Sequence, residues 1–233
     1  MNRQAVNPYL PSWEYIPDGE PHVFNGRVYV YGSHDRFNAP IFCVNDYVCW
    51  SAPVEDLSEW RYEGVIYRKK QDPKNPLGYH LLFAPDVCQG PDGRYYLYYA
   101  FDFLGIMSVA VCDTPAGEYK FLGHIHYADG TLWGRRRGDQ LPFDPGVLAD
   151  DDGRVWLYSG FYNAVPAILT GGHKLRCDGG TVLELEKDMV TIKTEPRVIF
   201  PKKGPGAFQG HEFFEASSIR KEGKTYIFVY SSR

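Results

Sequence analysis

Apolar and polar positions alternate with a period of two in four separate stretches, each entered through a tight turn. Val28-Tyr29-Val30-Tyr31 follows Asn25-Gly26, and Tyr95-Tyr96-Leu97-Tyr98 follows Asp92-Gly93. Val155-Trp156-Leu157-Tyr158 follows Asp152-Gly153, and Thr225-Tyr226-Ile227-Phe228 follows Glu222-Gly223. Alternation among aromatic and β-branched residues predicts strands. Asn-Gly and Asp-Gly supply the positive φ that a tight hairpin turn requires. The turn glycines at 26, 93, 153 and 223 stand 67, 60 and 70 residues apart. That period is too long for one hairpin and suits a four-stranded antiparallel blade with generous loops. The intervals supply further strands, at 47–51 and 60–67 in the first repeat and 107–111 and 119–123 in the second. No stretch keeps a helical period for more than two turns, and 24 Gly and 17 Pro punctuate the chain. The expected fold is all-β, a single propeller-like domain over residues 1–233.

The repeats divide the chain into blades near 14–75, 76–135 and 136–205, with a partial fourth over 206–233. About three and a half blades are therefore expected, because the fourth breaks off just after its first hairpin. A propeller left open exposes strand edges. A further C-terminal portion or a second chain is accordingly expected to complete the ring.

Composition narrows the partners. Aromatic residues make up 16% of the chain, which favours strands and surfaces that stack on sugar rings. The net charge of −4 gives no basic surface for nucleic acid. The one basic run, Arg135-Arg136-Arg137 between glycines, is expected to be a solvated loop. Five cysteines without CxxC spacing give neither a disulfide framework nor a zinc site. The N-terminal residues lack the apolar core of a signal peptide, and no stretch approaches a membrane span. The expected location is cytoplasmic, with a secreted or periplasmic one left open.

Each repeat also carries an acid just ahead of its turn. Asp18 lies 8 residues before Gly26, Asp86 lies 7 before Gly93, Asp144 lies 9 before Gly153 and Glu215 lies 8 before Gly223. Taken singly, an Asp beside Pro or Gly is a turn cap. In phase with the repeat, all four are expected to start the innermost strand of their blades and to converge on one mouth of the central channel. Carboxylates gathered around one pocket repel, unless they bind a cation or one of them stays protonated. Glycosidic hydrolysis uses the second arrangement: one carboxylic acid protonates the leaving oxygen while a carboxylate activates water. A third acid can raise the pKa of the proton donor. The Asp150-Asp151-Asp152 run lacks the later ligands of a calcium loop and is expected to face solvent. His211-Glu212 does not extend to HExxH, since Glu215 occupies the fourth position after His211.

At these acids the chain resembles glycoside hydrolase family 43 from about Asn7 to Arg233. The resemblance rests on four steps in order: Asp18-Gly19, Phe83-Ala84-Pro85-Asp86, Phe143-Asp144-Pro145 and Phe214-Glu215-Ala216. It implies a five-bladed β-propeller that cleaves α-L-arabinofuranosyl or β-D-xylosyl linkages of plant polysaccharides or oligosaccharides, by single displacement with inversion. Asp18 would be the general base, Asp144 the pKa modulator and orienter, and Glu215 the general acid. Substrate contacts would come from His34, Asp35, Phe83, Asp86 and Phe214. Alternatives are a non-catalytic carbohydrate-binding propeller and a family member acting on galactosyl linkages.

The chain departs from the family at two steps. Gly19 replaces a proline, which makes Glu20-Pro21 a rival acid–Pro step; the spacing to Tyr29 favours Asp18. Phe83 replaces a tryptophan. The Gly32-Ser33-His34-Asp35 sequence leans the substrate toward an arabinofuranoside, with His34 equally suited to a structural hydrogen bond. No cofactor is required and no metal ligand is named. The family's structural calcium rests on a later blade and has no support in this stretch.

Overall fold

The structure, a computed structural model, describes residues 7–203 and 208–232. Asn25 and Gly26 both adopt positive φ, 50° and 75°, and so close a two-residue hairpin between β1 (Glu20–Phe24) and β2 (Arg27–Tyr31). β3 (Tyr47–Pro53) and β4 (Arg61–Tyr67) extend this pair into a four-stranded antiparallel sheet. The second sheet repeats the order with β5 (Asp86–Gln89), β6 (Tyr95–Ala100), β7 (Met107–Cys112) and β8 (Lys120–His124). The third comprises β9 (Gly146–Ala149), β10 (Val155–Phe161), β11 (Gly179–Leu185) and β12 (Arg197–Pro201). A fourth sheet holds β13 (Phe213–Glu222) and β14 (Thr225–Ser232). Among the described residues the one helical element is a 3₁₀ turn, Lys69–Gln71.

The sheets pack face to face, which explains the aromatic alternation. Every residue of β6 is buried. Its odd positions Tyr95, Leu97 and Tyr99 join Tyr31, Tyr47 and Tyr67 of the first sheet in one core. Its even positions Tyr96 and Tyr98 join Val147, Leu157 and Leu183 of the third sheet in another. A strand buried on both faces has no use for polar residues. The third and fourth sheets meet through Phe228, whose ring centroid lies 5.1 Å from that of Tyr158 and 4.3 Å from that of Phe200. β14 leaves Tyr226, Ile227 and Val229 exposed.

The first strand of each sheet faces a common axis. Asp86 on β5 meets His22 on β1 and the Val147 N–H on β9. Ser218 on β13 donates to Glu20 on β1 at 2.7 Å, across 198 positions of sequence, and Arg220 pairs with the same carboxylate. Four inner strands thus surround a channel.

Two charged runs differ from expectation. Arg135 is half-buried and donates to the carbonyls of Leu104, Gly105 and Gly134, while Arg136 lies 3.4 Å over the Tyr127 ring. Arg135 clamps loops through their carbonyls, while Arg136 pairs with the Asp129 and Glu195 carboxylates. Asp150 is buried and ties the third sheet to the fourth through Lys221 and the Tyr226 hydroxyl. Asp152 keeps the expected surface place, paired with Arg154.

Candidate active site

Three acids reach one cavity from three different sheets, each at or beside a residue of positive φ. Asp18 (φ 56°) lies two residues before β1, and Asp144 (φ 46°) lies two residues before β9. Glu215 is the third residue of β13, followed by Ala216 at φ 63°. Asp tolerates this left-handed region; for Ala it costs about 1–2 kcal/mol, which the surroundings must supply. The return is geometric: the Ala216 N–H points at Asp144 Oδ2, 3.2 Å away. Ser159 on β10 pins Phe143, accepting from its N–H at 2.8 Å and donating to its carbonyl at 2.7 Å. Gly146 lets β9 lie against β13, since a Cβ there would sit 2.6 Å from the Ser217 carbonyl oxygen. The Ser33 hydroxyl donates to Asp18 Oδ2 at 2.7 Å.

The cavity has a volume of about 410 Å³, and its lining includes Asp18, Asp144 and Glu215. Its walls are phenylalanines. Phe103 and Phe143 stack in parallel with centroids 5.5 Å apart, and Phe83 stands edge-on to both. Phe161 bridges Phe143 at 4.7 Å and Phe214 at 5.9 Å. The Tyr47 hydroxyl donates to the Phe83 carbonyl and fixes that wall. Such a pocket, apolar with a few convergent carboxyls, is the usual build of a small-ligand site.

Solvation divides the acids. Asp144 is 7% exposed, whereas Asp18 is exposed and Glu215 half-buried. Burial, then the charges of Glu215 and Asp18, push the Asp144 carboxyl well above the usual range. Burial, then the charge of Asp18, raises Glu215. Carboxyls that share one pocket disfavour one another's charge. Asp144 and Glu215 are thus raised together, with Asp144 the more deeply buried of the two. Burial also lifts the neighbouring Cys43 thiol to about 12, which makes it unreactive.

Of the anticipated sugar contacts, Asp35, Phe83 and Phe214 line the cavity. Asp35 also accepts the Cys43 N–H at 2.5 Å. His34 and Asp86 are not on its wall. His34 bridges Glu14 and the Asp46 carbonyl, both at 2.9 Å. Asp86 is fully buried in the channel, where it accepts from His22 at 2.6 Å and from the Val87 and Val147 N–H groups at 2.7 and 2.6 Å. Strand register explains the displacement. Asp86 pairs with Tyr98 as Glu20 pairs with Tyr31, so its counterpart is Glu20, two residues deeper than Asp18. Of the rival acids Asp18 and Glu20, Asp18 lines the cavity and Glu20 faces Ser218 and Arg220. Phe42, Phe103, Phe143 and Phe161 were not anticipated as walls. Phe143 adjoins Asp144 in sequence and Phe161 ends β10, so both could have been found by following each acid and its partner strand.

Glu20, His22 and Asp86 bring ligand atoms within 4.8 Å of one another, the one such group among the described residues. Calcium takes six to eight oxygen ligands. Here a ring nitrogen is one of three donors, and the carboxylate oxygens already accept from His22, Ser218, Arg220 and two backbone N–H groups. The set does not fit calcium.

Comparison with known proteins identifies the family. A family model, glycosyl hydrolases family 43, matches residues 17–233. A xylosidase/arabinosidase of Thermoclostridium stercorarium is 61% identical over 236 residues; the match covers 100% of this chain and 48% of that protein, so the chain spans about half its length. Xylosidase/arabinosidase 43A of Humicola insolens is 31% identical over 94% of this chain and 72% of its own. Among solved structures, a β-xylosidase/α-arabinofuranosidase from a compost microbial metagenome, in complex with xylotriose, superposes with a TM-score of 0.68. That match has 27% identity over 98% of this chain and 73% of the other. The structural neighbours are five-bladed β-propellers, and this chain, all-β like them, has the four sheets described. The repeat, the three converging acids and these matches together place the chain in glycosyl hydrolase family 43.

Proposed function

We propose that this cavity hydrolyses terminal or side-chain pentosyl linkages, α-L-arabinofuranosyl or β-D-xylosyl, by single displacement with inversion. The observation that carries the reading is the convergence of Asp18, Asp144 and Glu215 on one phenylalanine-walled cavity, where burial and the charge of Asp18 raise the Glu215 carboxyl. Glu215 gives its proton to the glycosidic oxygen as the bond from that oxygen to the anomeric carbon breaks. A water attacks the anomeric carbon from the opposite face, and its proton passes to Asp18. Both carboxyls then reset by exchange with solvent. Asp144 orients the pair by holding the backbone beside Glu215. The phenyl faces stack on the apolar C–H faces of a sugar ring and keep bulk water from the developing positive charge. The names of the relatives, xylosidase/arabinosidase in two of them, support pentosyl substrates.

The test is turnover of p-nitrophenyl α-L-arabinofuranoside and β-D-xyloside and of the matching oligosaccharides, with the first-formed anomer followed by proton NMR. Release of the inverted sugar is expected. Binding of oligosaccharide without turnover would replace the reading by a carbohydrate-binding one, and a retained anomer would overturn the single displacement.

A further inference from the structure

We propose that Ser33, seated by Gly32, is a positioning residue that orients the Asp18 carboxylate for its work as a general base; this rests on the hydrolytic reading above. Asp18 is the most exposed of the three acids and stands on a turn of positive φ, so nothing in its own burial fixes the carboxylate plane. Ser33 lies just beyond the end of β2 and is fully buried. Its Oγ is 2.7 Å from Asp18 Oδ2 and 3.2 Å from the Pro17 carbonyl oxygen. A hydroxyl has one proton to give, and the shorter, charge-assisted partner takes it. Oδ2 is thereby engaged, and Oδ1 is left to face the attacking water.

The contact is built rather than incidental. Gly32 brings the end of β2 flat onto the turn that carries Asp18: a Cβ at Gly32 would lie 2.4 Å from Ile16 Cγ2, 2.9 Å from the Pro17 carbonyl oxygen and 3.2 Å from the Gly19 Cα. No other residue type permits that approach without moving the turn. A serine that merely capped the turn would serve through Pro17 alone. The short bond to the carboxylate adds a role in catalysis, because a base held out of line with its water loses rate steeply.

The experiment is the Ser33→Ala variant of the full chain, compared with the parent in steady-state kinetics across pH and in crystal structures. A fall in kcat of roughly 10–100-fold with KM within about twofold of the parent is expected. The acidic limb of kcat/KM is expected to move to higher pH, because the charged base has lost a donor. Thermal unfolding is expected to shift by only a few degrees, so folding survives. In the crystal, the Asp18 carboxylate is expected to rotate away from its present plane. An unchanged kcat, or a loss of kcat with an unmoved acidic limb, overturns the inference. So does an Asp18 carboxylate that keeps its orientation without the hydroxyl. The crystal comparison decides the point even if the parent turns over no pentoside, in which case the hydrolytic reading alone falls.

Discussion

A difference in water access separates the two acids that burial lifts from the one that stays in solvent, and mutations expose that difference directly. Asp144 and Glu215 are both raised, so folding favours their protonated forms. Their contribution to stability is complete below the ordinary carboxyl range and is lost as pH climbs through the raised folded-state values. Asp144→Asn removes the buried charge that forms there. It is expected to raise stability near neutral pH by about 1 kcal/mol and to flatten the decline between acidic and neutral pH, while abolishing most turnover; denaturant melts at several pH values measure it. Glu215→Gln is expected to lower kcat about 10²–10⁴-fold on oligosaccharides and much less on p-nitrophenyl pentosides, whose leaving group needs no proton. Equal losses on both substrates would argue against Glu215 as the acid. Residue by residue, the sequence located Asp18, Asp144 and Glu215 through their phase with the repeat. It misplaced Asp86 because distance from a turn glycine does not give register. The β1–β2 hairpin turns in two residues and the β5–β6 connection takes residues 90–94, so similar counts land at different depths.

At the level of strands, legibility followed burial. β6 carries aromatic and aliphatic residues on both faces, and such a run marks a strand between two neighbours whatever its loops do. The loops beyond the strands were opaque. Phe42 and Phe103 reach the cavity from irregular segments with no period to betray them. The seam between β9 and β13 was hidden for another reason: it depends on the small size of Gly146, and a lone glycine in a strand has many explanations. Gly146→Ala places a Cβ 2.6 Å from the Ser217 carbonyl oxygen, backbone that cannot swing aside. The variant is expected to lose about 1–3 kcal/mol of stability and, through displacement of Asp144 relative to Ala216, a large part of kcat. Thermal unfolding beside kinetics at a permissive temperature checks both; a variant as stable and active as the parent would show that the seam is looser than described.

Across the whole molecule the sheets are joined by polar clasps as well as by aromatic cores. Lys221 and Tyr226 hold Asp150 between the third and fourth sheets, and Arg220 and Ser218 hold Glu20 between the fourth and the first. Removing the guanidinium with Arg220→Met leaves Glu20 half-buried beside Asp86, whose charge already raises it after burial. The Arg220 side chain is 35% exposed, so the cost is expected to be about 1–2 kcal/mol rather than that of a buried pair. Faster amide exchange across β13 and β14, with β5 to β8 unchanged, is the expected signature.

The clasp from Glu20 to Ser218 spans 198 positions of sequence, whereas each hairpin closes over a handful. Chain closure of that length is slow compared with local pairing. Refolding should therefore run in two stages. The sheets form and bury Trp133 early, and the proposed hydrolysis returns only when the first and fourth sheets meet and bring Asp18 and Glu215 to one cavity. Tryptophan fluorescence that recovers ahead of turnover would make the reaction itself a clock for the final docking step.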